Sequence, residues 1–131
     1  METEPVSSSL RRWFIVHFVA DMLVAVPLFI APKAILGLLG WPCVDVAMTR
    51  VVAAALFGIG IQSLLGRDDS KSAFLAMLRL KLIWSSFAIV GIFISLLQGA
   101  PKAAWGFLVV FIGFSAVWWR YWVQLRGRKS Q

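Results

Sequence analysis

The residues of this chain that could do chemistry are few, and two of them lie in its first long hydrophobic run. His17 and Asp21 are four positions apart within residues 13–31. On a helix they would share one face, about 6 Å apart along the axis. An ionisable group inside an apolar helix costs several kcal/mol unless a partner compensates for it. The first functional question is therefore which residue pairs with Asp21.

Arg50 is the predicted partner of Asp21. It lies in the second hydrophobic run, which would enter a bilayer from the opposite side. At 1.5 Å per residue, Asp21 lies about 13 Å deep and Arg50 about 8 Å deep, each measured from its own side. In a core of about 30 Å the two depths differ by less than about 10 Å. The pair could be a lock between two helices, the favoured interpretation, or a ligand or proton site.

Trp84 completes the set of candidate binding residues, because it lies deep enough in the third run to line a cavity. Taken alone, His17 is more typical of a core or interfacial histidine than of a ligand. With one histidine and few carboxylates, the sequence is not expected to supply three or four protein ligands for a metal within one subunit. No nucleophile elbow or glycine-rich phosphate loop is present in the sequence. The sequence predicts no catalytic residue, no metal site and no cofactor.

The composition is typical of an integral membrane protein. Of the 131 residues 60% are hydrophobic, and the mean hydropathy is +0.84. A soluble domain of this size needs more polar surface. The net charge of +7 comes from basic residues at the ends of the apolar runs. In that position they suit anionic headgroups better than nucleic acid, which is not expected as a partner. The lone Cys43 excludes an internal disulfide.

Four apolar runs predict an all-α, up-down-up-down bundle of four transmembrane helices in a single domain, residues 1–131. Asp45 should cap the second helix and Pro32 should end the first. Ala54 and Gly58 form a small-residue pair that should let another helix approach closely. The segment 33–39 is too short to span and should form an interfacial turn. The predicted spans are 13–31, 45–65, 75–98 and 103–124, with flexible tails at 1–10 and 126–131.

The distribution of basic residues predicts the orientation. Ten lie on the side of the two termini, against two or three on the other side. Cytoplasmic segments carry the excess of Lys and Arg, so both termini should be cytoplasmic. Arg79 and Lys81 are expected to be anchors whose charged ends reach the headgroup region. The expected location is a bacterial inner membrane.

The pattern of helices and glycines resembles the small bacterial four-helix membrane proteins of the DoxX-like families. The residues that carry the resemblance are Pro32, Gly37 and Gly40, followed by Arg50 and Gly58 at the start of a small-residue helix. The resemblance covers most of the chain and implies a four-helix membrane fold. Most members of these families are functionally uncharacterised, and some are implied to work beside quinone or thiol redox systems. No set of redox ligands in this sequence supports that role here.

Two functions follow as hypotheses. The first is a binding or structural subunit, which holds a lipid or other small apolar ligand in the bilayer or joins a larger membrane complex. The second is a small transporter or channel formed by oligomerisation, in which a cluster of His17, Asp21 and Arg50 handles protons or ions. A homo-oligomer is compatible with both, and an enzymatic role is not expected. The absence of a continuous polar stripe along any span disfavours the transporter.

Overall fold

The computed structural model describes residues 6–128, and these form five α-helices and one short 3₁₀ turn. Predictions for residues 1–5 and 129–131 lie outside the described part of the chain. The predicted all-helical fold is confirmed for the described residues, and four of the helices are long and apolar enough to cross a membrane. The helices are α1 Ser8–Ile30, α2 Pro32–Leu38, α3 Val46–Leu65, α4 Lys71–Leu97 and α5 Ala103–Gly127, with the 3₁₀ turn at Gly66–Asp68 after α3.

Short polar side chains start three of these helices. The side chains of Ser7, Asp45 and Ser70 accept hydrogen bonds from the backbone N–H groups of residues three positions later. Each satisfies one of the donors that the first turn of a helix leaves open. The cap at Asp45 agrees with the prediction. The cap at Ser7 explains why α1 begins at Ser8, inside the predicted flexible tail, and five residues before the predicted span.

Proline and glycine separate α1 from α3. Pro32 stands at the first turn of α2, immediately after α1 ends, as predicted. The missing N–H of proline is no loss at that position. The predicted interfacial segment 33–39 is largely the seven-residue helix α2. It ends at Leu38, and two residues later Gly40 has a φ of 101°, in the left-handed region that favours glycine.

The chain divides into two compact units, and the first, Ser7–Asp68, is built on an antiparallel pair of helices. Three contacts fix the direction of α3 against α1. Arg11 donates a hydrogen bond to the Arg67 carbonyl, in the 3₁₀ turn that follows α3. His17 meets Ser63 in the middle, and the Phe29 ring packs edge-on against Phe57 with the ring centroids 5.8 Å apart. As the chain advances along α1, its partners therefore move back along α3.

The second unit contains α4 and α5, which are also antiparallel. The hydroxyls of Ser85 and Ser115 are hydrogen-bonded across the two helices. Four residues before Ser85, the Lys81 ammonium lies 5.1 Å from the centroid of the Trp118 ring, three residues after Ser115. The turn between the helices contains Gly99, whose φ of 91° again requires a residue that tolerates the left-handed region.

The small-residue pair on α3 does not make the predicted close helix contact. Ala54 and Gly58 are exposed, and a Cβ atom added at Gly58 would meet no atom within 4 Å. The buried face of α3 instead consists of Ala53, Leu56, Gly60 and Ser63. The physical reason is helical phase. Residues 54 and 58 are displaced by about 100° or more from residues 53 and 60 around the axis.

Candidate functional site

The candidate site lies between α1 and α3, where His17 and Asp21 are both buried. The two side chains project from one face of α1, as their spacing predicted. His17 Nε2 lies 3.5 Å from Asp21 Oδ1. His17 Nδ1 lies 3.4 Å from the Ser63 hydroxyl oxygen on α3. The imidazole therefore lies between a carboxylate on its own helix and a hydroxyl on the neighbouring one.

The hydroxyl of Ser63 limits where protons can lie in this cluster. Ser63 donates its hydroxyl hydrogen to the Ile59 carbonyl at 2.8 Å, so its oxygen can accept from His17 Nδ1 in the tautomer that carries a hydrogen on that nitrogen. With Nδ1 carrying a hydrogen, one further proton can lie between Nε2 and the carboxylate. The pair is then either imidazolium with carboxylate or neutral imidazole with carboxylic acid. At 3.5 Å the His17 Nε2 and Asp21 Oδ1 atoms are within ion-pair distance, and the pair is charged only when the imidazole is protonated.

Gly60 allows the carboxylate to lie against α3. A Cβ atom placed on Gly60 would lie 2.8 Å from Asp21 Cβ and 3.2 Å from Asp21 Oδ2. Carbon atoms in contact are normally about 3.5–4.0 Å apart, so a larger residue does not fit unless the backbone moves. Gly60 and Ser63, three positions apart on the buried face of α3, thus shape the site opposite Asp21 and His17.

Sequence reasoning did not assign Gly60 or Ser63 to the site. Gly60 is one of several small residues in its helix, and Ser63 is one of several polar side chains there. The available signal is their spacing, because residues 53, 56, 60 and 63 follow the period of one helix face. The sequence does not say which face of α3 meets α1, so this signal could not be assigned to His17 and Asp21.

The predicted Asp21–Arg50 ion pair is wrong. Arg50 is exposed, and its Nε donates a hydrogen bond at 3.1 Å to the carbonyl of Phe29, in the last turn of α1. Phe29 is eight residues beyond Asp21, which corresponds to about 12 Å along the helix. The last carbonyls of a helix lack partners within the helix and carry partial negative charge, so they attract a guanidinium. The depth estimate failed because it overlooked this nearer acceptor.

Trp84 and Lys81 belong to the second unit. Trp84 is half-buried on α4, and its role as a ligand-lining residue stays a prediction. Lys81 is not the snorkelling anchor that was expected, because only 3% of its surface is exposed and its ammonium lies over the Trp118 ring. An indole face attracts a desolvated cation by as much as about 2 kcal/mol. The sequence could not reveal this contact, because Lys81 and Trp118 are far apart in the chain.

Within residues 6–128 no group of three or more His, Cys, Asp or Glu side chains is placed to hold a metal ion. The polar chemistry of the first unit is thus the buried His17–Asp21 pair and its neighbour Ser63. It can donate and accept hydrogen bonds in an apolar setting, or hold and release one proton. No protein-family model, curated protein or solved structure matches this chain.

Proposed function

We propose that this chain is a small integral membrane protein of four spanning helices that binds a lipid or another small apolar ligand, or serves as a structural subunit of a larger membrane complex. The observation that carries the proposal is the His17–Asp21 pair, buried between two apolar helices. Buried ionisable groups in such helices are costly, and they mark functional positions more often than surface charges do. The DoxX-like resemblance agrees with this architecture.

The surface of the helices supports a membrane location. Large apolar side chains are exposed along all four long helices, among them Leu23 at 71% and Phe87 at 76%. At about 25 cal/mol per Å² of apolar surface, such a face is unfavourable in water and favourable against acyl chains. The basic residues at the ends of the helices favour a cytoplasmic position for both termini, and a bacterial inner membrane is the proposed location.

A ligand of the proposed class combines an apolar body with a polar group. The polar group would exchange hydrogen bonds with the His17–Asp21 pair, and the apolar part would lie against the helices. A few placed polar groups in an apolar surround are typical of small-molecule sites. The paired state without ligand already satisfies part of the polar demand, so ligand binding would have to replace or extend those hydrogen bonds.

Native mass spectrometry from mild detergent tests this proposal. Wild-type protein should retain a lipid or a partner subunit, and Asp21→Asn should lose at least part of it while the helical content is unchanged. Asp45→Asn is the matched control, because it makes the same chemical change at an exposed helix cap where Asn serves about as well as Asp. A bare wild-type monomer, or equal loss in Asp21→Asn and Asp45→Asn, would refute ligand binding at this pair.

A proton-handling transporter or channel is the second candidate, and the buried contact between His17 and Asp21 favours it, because both side chains can exchange protons. Four helices of this length seldom enclose a pathway alone, so this function requires an oligomer. Proteoliposomes with an imposed pH gradient should show proton flux for wild type and for Asp45→Asn, with a loss for Asp21→Asn. No flux in wild type, or the same flux in Asp21→Asn, would exclude this function.

A further inference from the structure

One end of the α4–α5 hairpin carries an excess of positive charge. From Ser70 to Arg128 the sequence contains seven basic residues and no acidic one. The contacts of Lys81 with Trp118 and of Ser85 with Ser115 place the start of α4 beside the end of α5. Apart from Lys102 and the buried Lys81, the basic residues therefore belong to that end. Charge of one sign, with no acidic residue within the hairpin, favours an anionic partner.

Along the last turns of α5, three side chains form a continuous stack, which we call the Trp119–Arg126 ladder. The rings of Trp119 and Trp122 are stacked with their centroids 5.6 Å apart and an interplanar angle of 27°. The guanidinium carbon of Arg126 lies 4.4 Å from the centroid of the Trp122 ring. The positions 119, 122 and 126 follow one helix face. Trp119 is 57% exposed and Arg126 is exposed, so this face is open to a partner.

The chemistry of the ladder fits a phosphate attached to an apolar body. A guanidinium that stacks on an indole uses its flat face, and the N–H groups at its edge remain directed outward in its plane. Those N–H groups match two oxygens of a phosphate in a bidentate contact. Indole rings prefer the boundary between acyl chains and headgroups. From Trp119 to Arg126 the helix rises about 10 Å, enough to extend from the outer acyl chains across one headgroup region of about 5–8 Å.

We propose that the Trp119–Arg126 ladder is a binding site for an anionic phospholipid of the bilayer. Arg126 contacts the lipid phosphate, and the two indoles lie along the glycerol and the first acyl carbons. Because α5 ends at Gly127 and its last carbonyls carry partial negative charge, the phosphate lies beside Arg126 and off the helix axis. The site rests on the proposed membrane location but not on the His17–Asp21 pair, so the two can fail separately.

Lipid titration followed by native mass spectrometry tests the ladder. Purified full-length protein in mild detergent is titrated with phosphatidylglycerol and, separately, with zwitterionic phosphatidylcholine. Wild type should bind phosphatidylglycerol several-fold more tightly. Arg126→Gln should weaken that binding about fivefold, the effect of one basic residue near an anionic surface. Trp122→Leu should also weaken it, and Arg126→Lys should fall between wild type and Arg126→Gln because the charge remains but the planar fork is lost.

Arg120→Gln is the matched control, since it removes the same charge from a different face of the same helix, about 240° around the axis from Arg126. It should retain most of the preference for phosphatidylglycerol. The proposal is overturned if Arg120→Gln and Arg126→Gln weaken binding equally, because binding then follows total charge. It is also overturned if wild type binds both lipids equally, a result that does not depend on the folding of any variant.

Discussion

At the scale of single residues, positions in and near the polar site between α1 and α3 differ sharply in how well they should tolerate substitution. Gly60 lies against the Asp21 side chain, whereas Gly58, two positions earlier, has open space around it. His17 and Asp21 share a contact within one helix, whereas Arg50 binds a backbone carbonyl two turns beyond Asp21. Both contrasts can be tested with substitutions that differ only in position.

Gly60→Ala should destabilise the protein by about 1–3 kcal/mol, the usual cost of inserting an extra carbon into a packed contact. The new Cβ would lie 2.8 Å from Asp21 Cβ, an atom fixed to the backbone that cannot rotate away. Gly58→Ala should be neutral or stabilising by up to about 1 kcal/mol, because alanine is the better helix former. Thermal melts in detergent measure both. A Gly60→Ala protein that melts with or above Gly58→Ala would contradict the packing described here.

Double-mutant cycles should distinguish the observed partner of Asp21 from the one that the sequence predicts. His17→Gln and Asp21→Asn should be coupled by about 0.5–3 kcal/mol, as residues in contact are. Asp21→Asn and Arg50→Gln should add within about 0.5 kcal/mol, because Arg50 acts on Phe29. Exchanging the charges, Asp21→Arg with Arg50→Asp, should therefore rescue nothing. Recovery of stability in the exchanged protein would instead support a direct ion pair between Asp21 and Arg50.

At the scale of helices, each antiparallel pair is held by polar contacts as well as apolar packing. In the first unit the two helices exchange similar contacts. Arg11 near the start of α1 reaches the Arg67 carbonyl after α3, and Arg50 near the start of α3 reaches the Phe29 carbonyl of α1. Each guanidinium thus lies at the negative end of the neighbouring helix dipole. In the second unit the Ser85–Ser115 hydrogen bond lies between the helices.

Ser85→Ala should destabilise the α4–α5 hairpin by about 0.6 kcal/mol, the average measured for hydrogen bonds between membrane helices. Ser86→Ala is the control, because the exposed Ser86 hydroxyl donates to the Leu82 carbonyl of its own helix. Unfolding of the full chain in mixed micelles measures both changes. If the two alanine variants unfold alike, the hydrogen bond between the helices contributes nothing measurable to stability.

At the scale of the whole molecule, the four apolar helices and the placement of charge predict how the chain crosses a membrane. Each connection between successive long helices should lie on one side of the membrane. Cys43, exposed between α2 and α3, is a natural reporter for the connection between α1 and α3. The count of basic residues predicts that this connection faces away from the cytoplasm.

A membrane-impermeant maleimide should label Cys43 in intact cells. A variant with Cys43→Ser and Asp69→Cys, which moves the thiol to the connection between α3 and α4, should be labelled only after the cells are permeabilised. The physical reason is the excess of Arg and Lys around that connection, which retains it in the cytoplasm. Labelling of the Asp69→Cys variant but not of Cys43 in intact cells would reverse the proposed orientation, and labelling of both would argue against a spanning fold.

The sequence alone determined the helices. Apolar runs of sufficient length, Pro32 after α1 and Asp45 before α3 are local signals, and α3 follows its predicted span within one residue. The spacing of His17 and Asp21 likewise determined their shared face, because both belong to one helix. The formation of a helix and the positions of its two ends depend on residues that are close in the chain. The order of residues is therefore sufficient to predict these features.

The tertiary structure decided which faces meet. The choice of Gly60 and Ser63 over Ala54 and Gly58 depends on the rotation of α3 against α1, which several small residues in that helix leave undetermined from sequence. The same holds for Arg50, whose acceptor is a backbone carbonyl and so has no sequence signature. The burial of Lys81 also depends on a partner in another helix, Trp118. Contacts between helices are set by packing, and the hydrophobic pattern of an all-round apolar helix carries little information about its rotation.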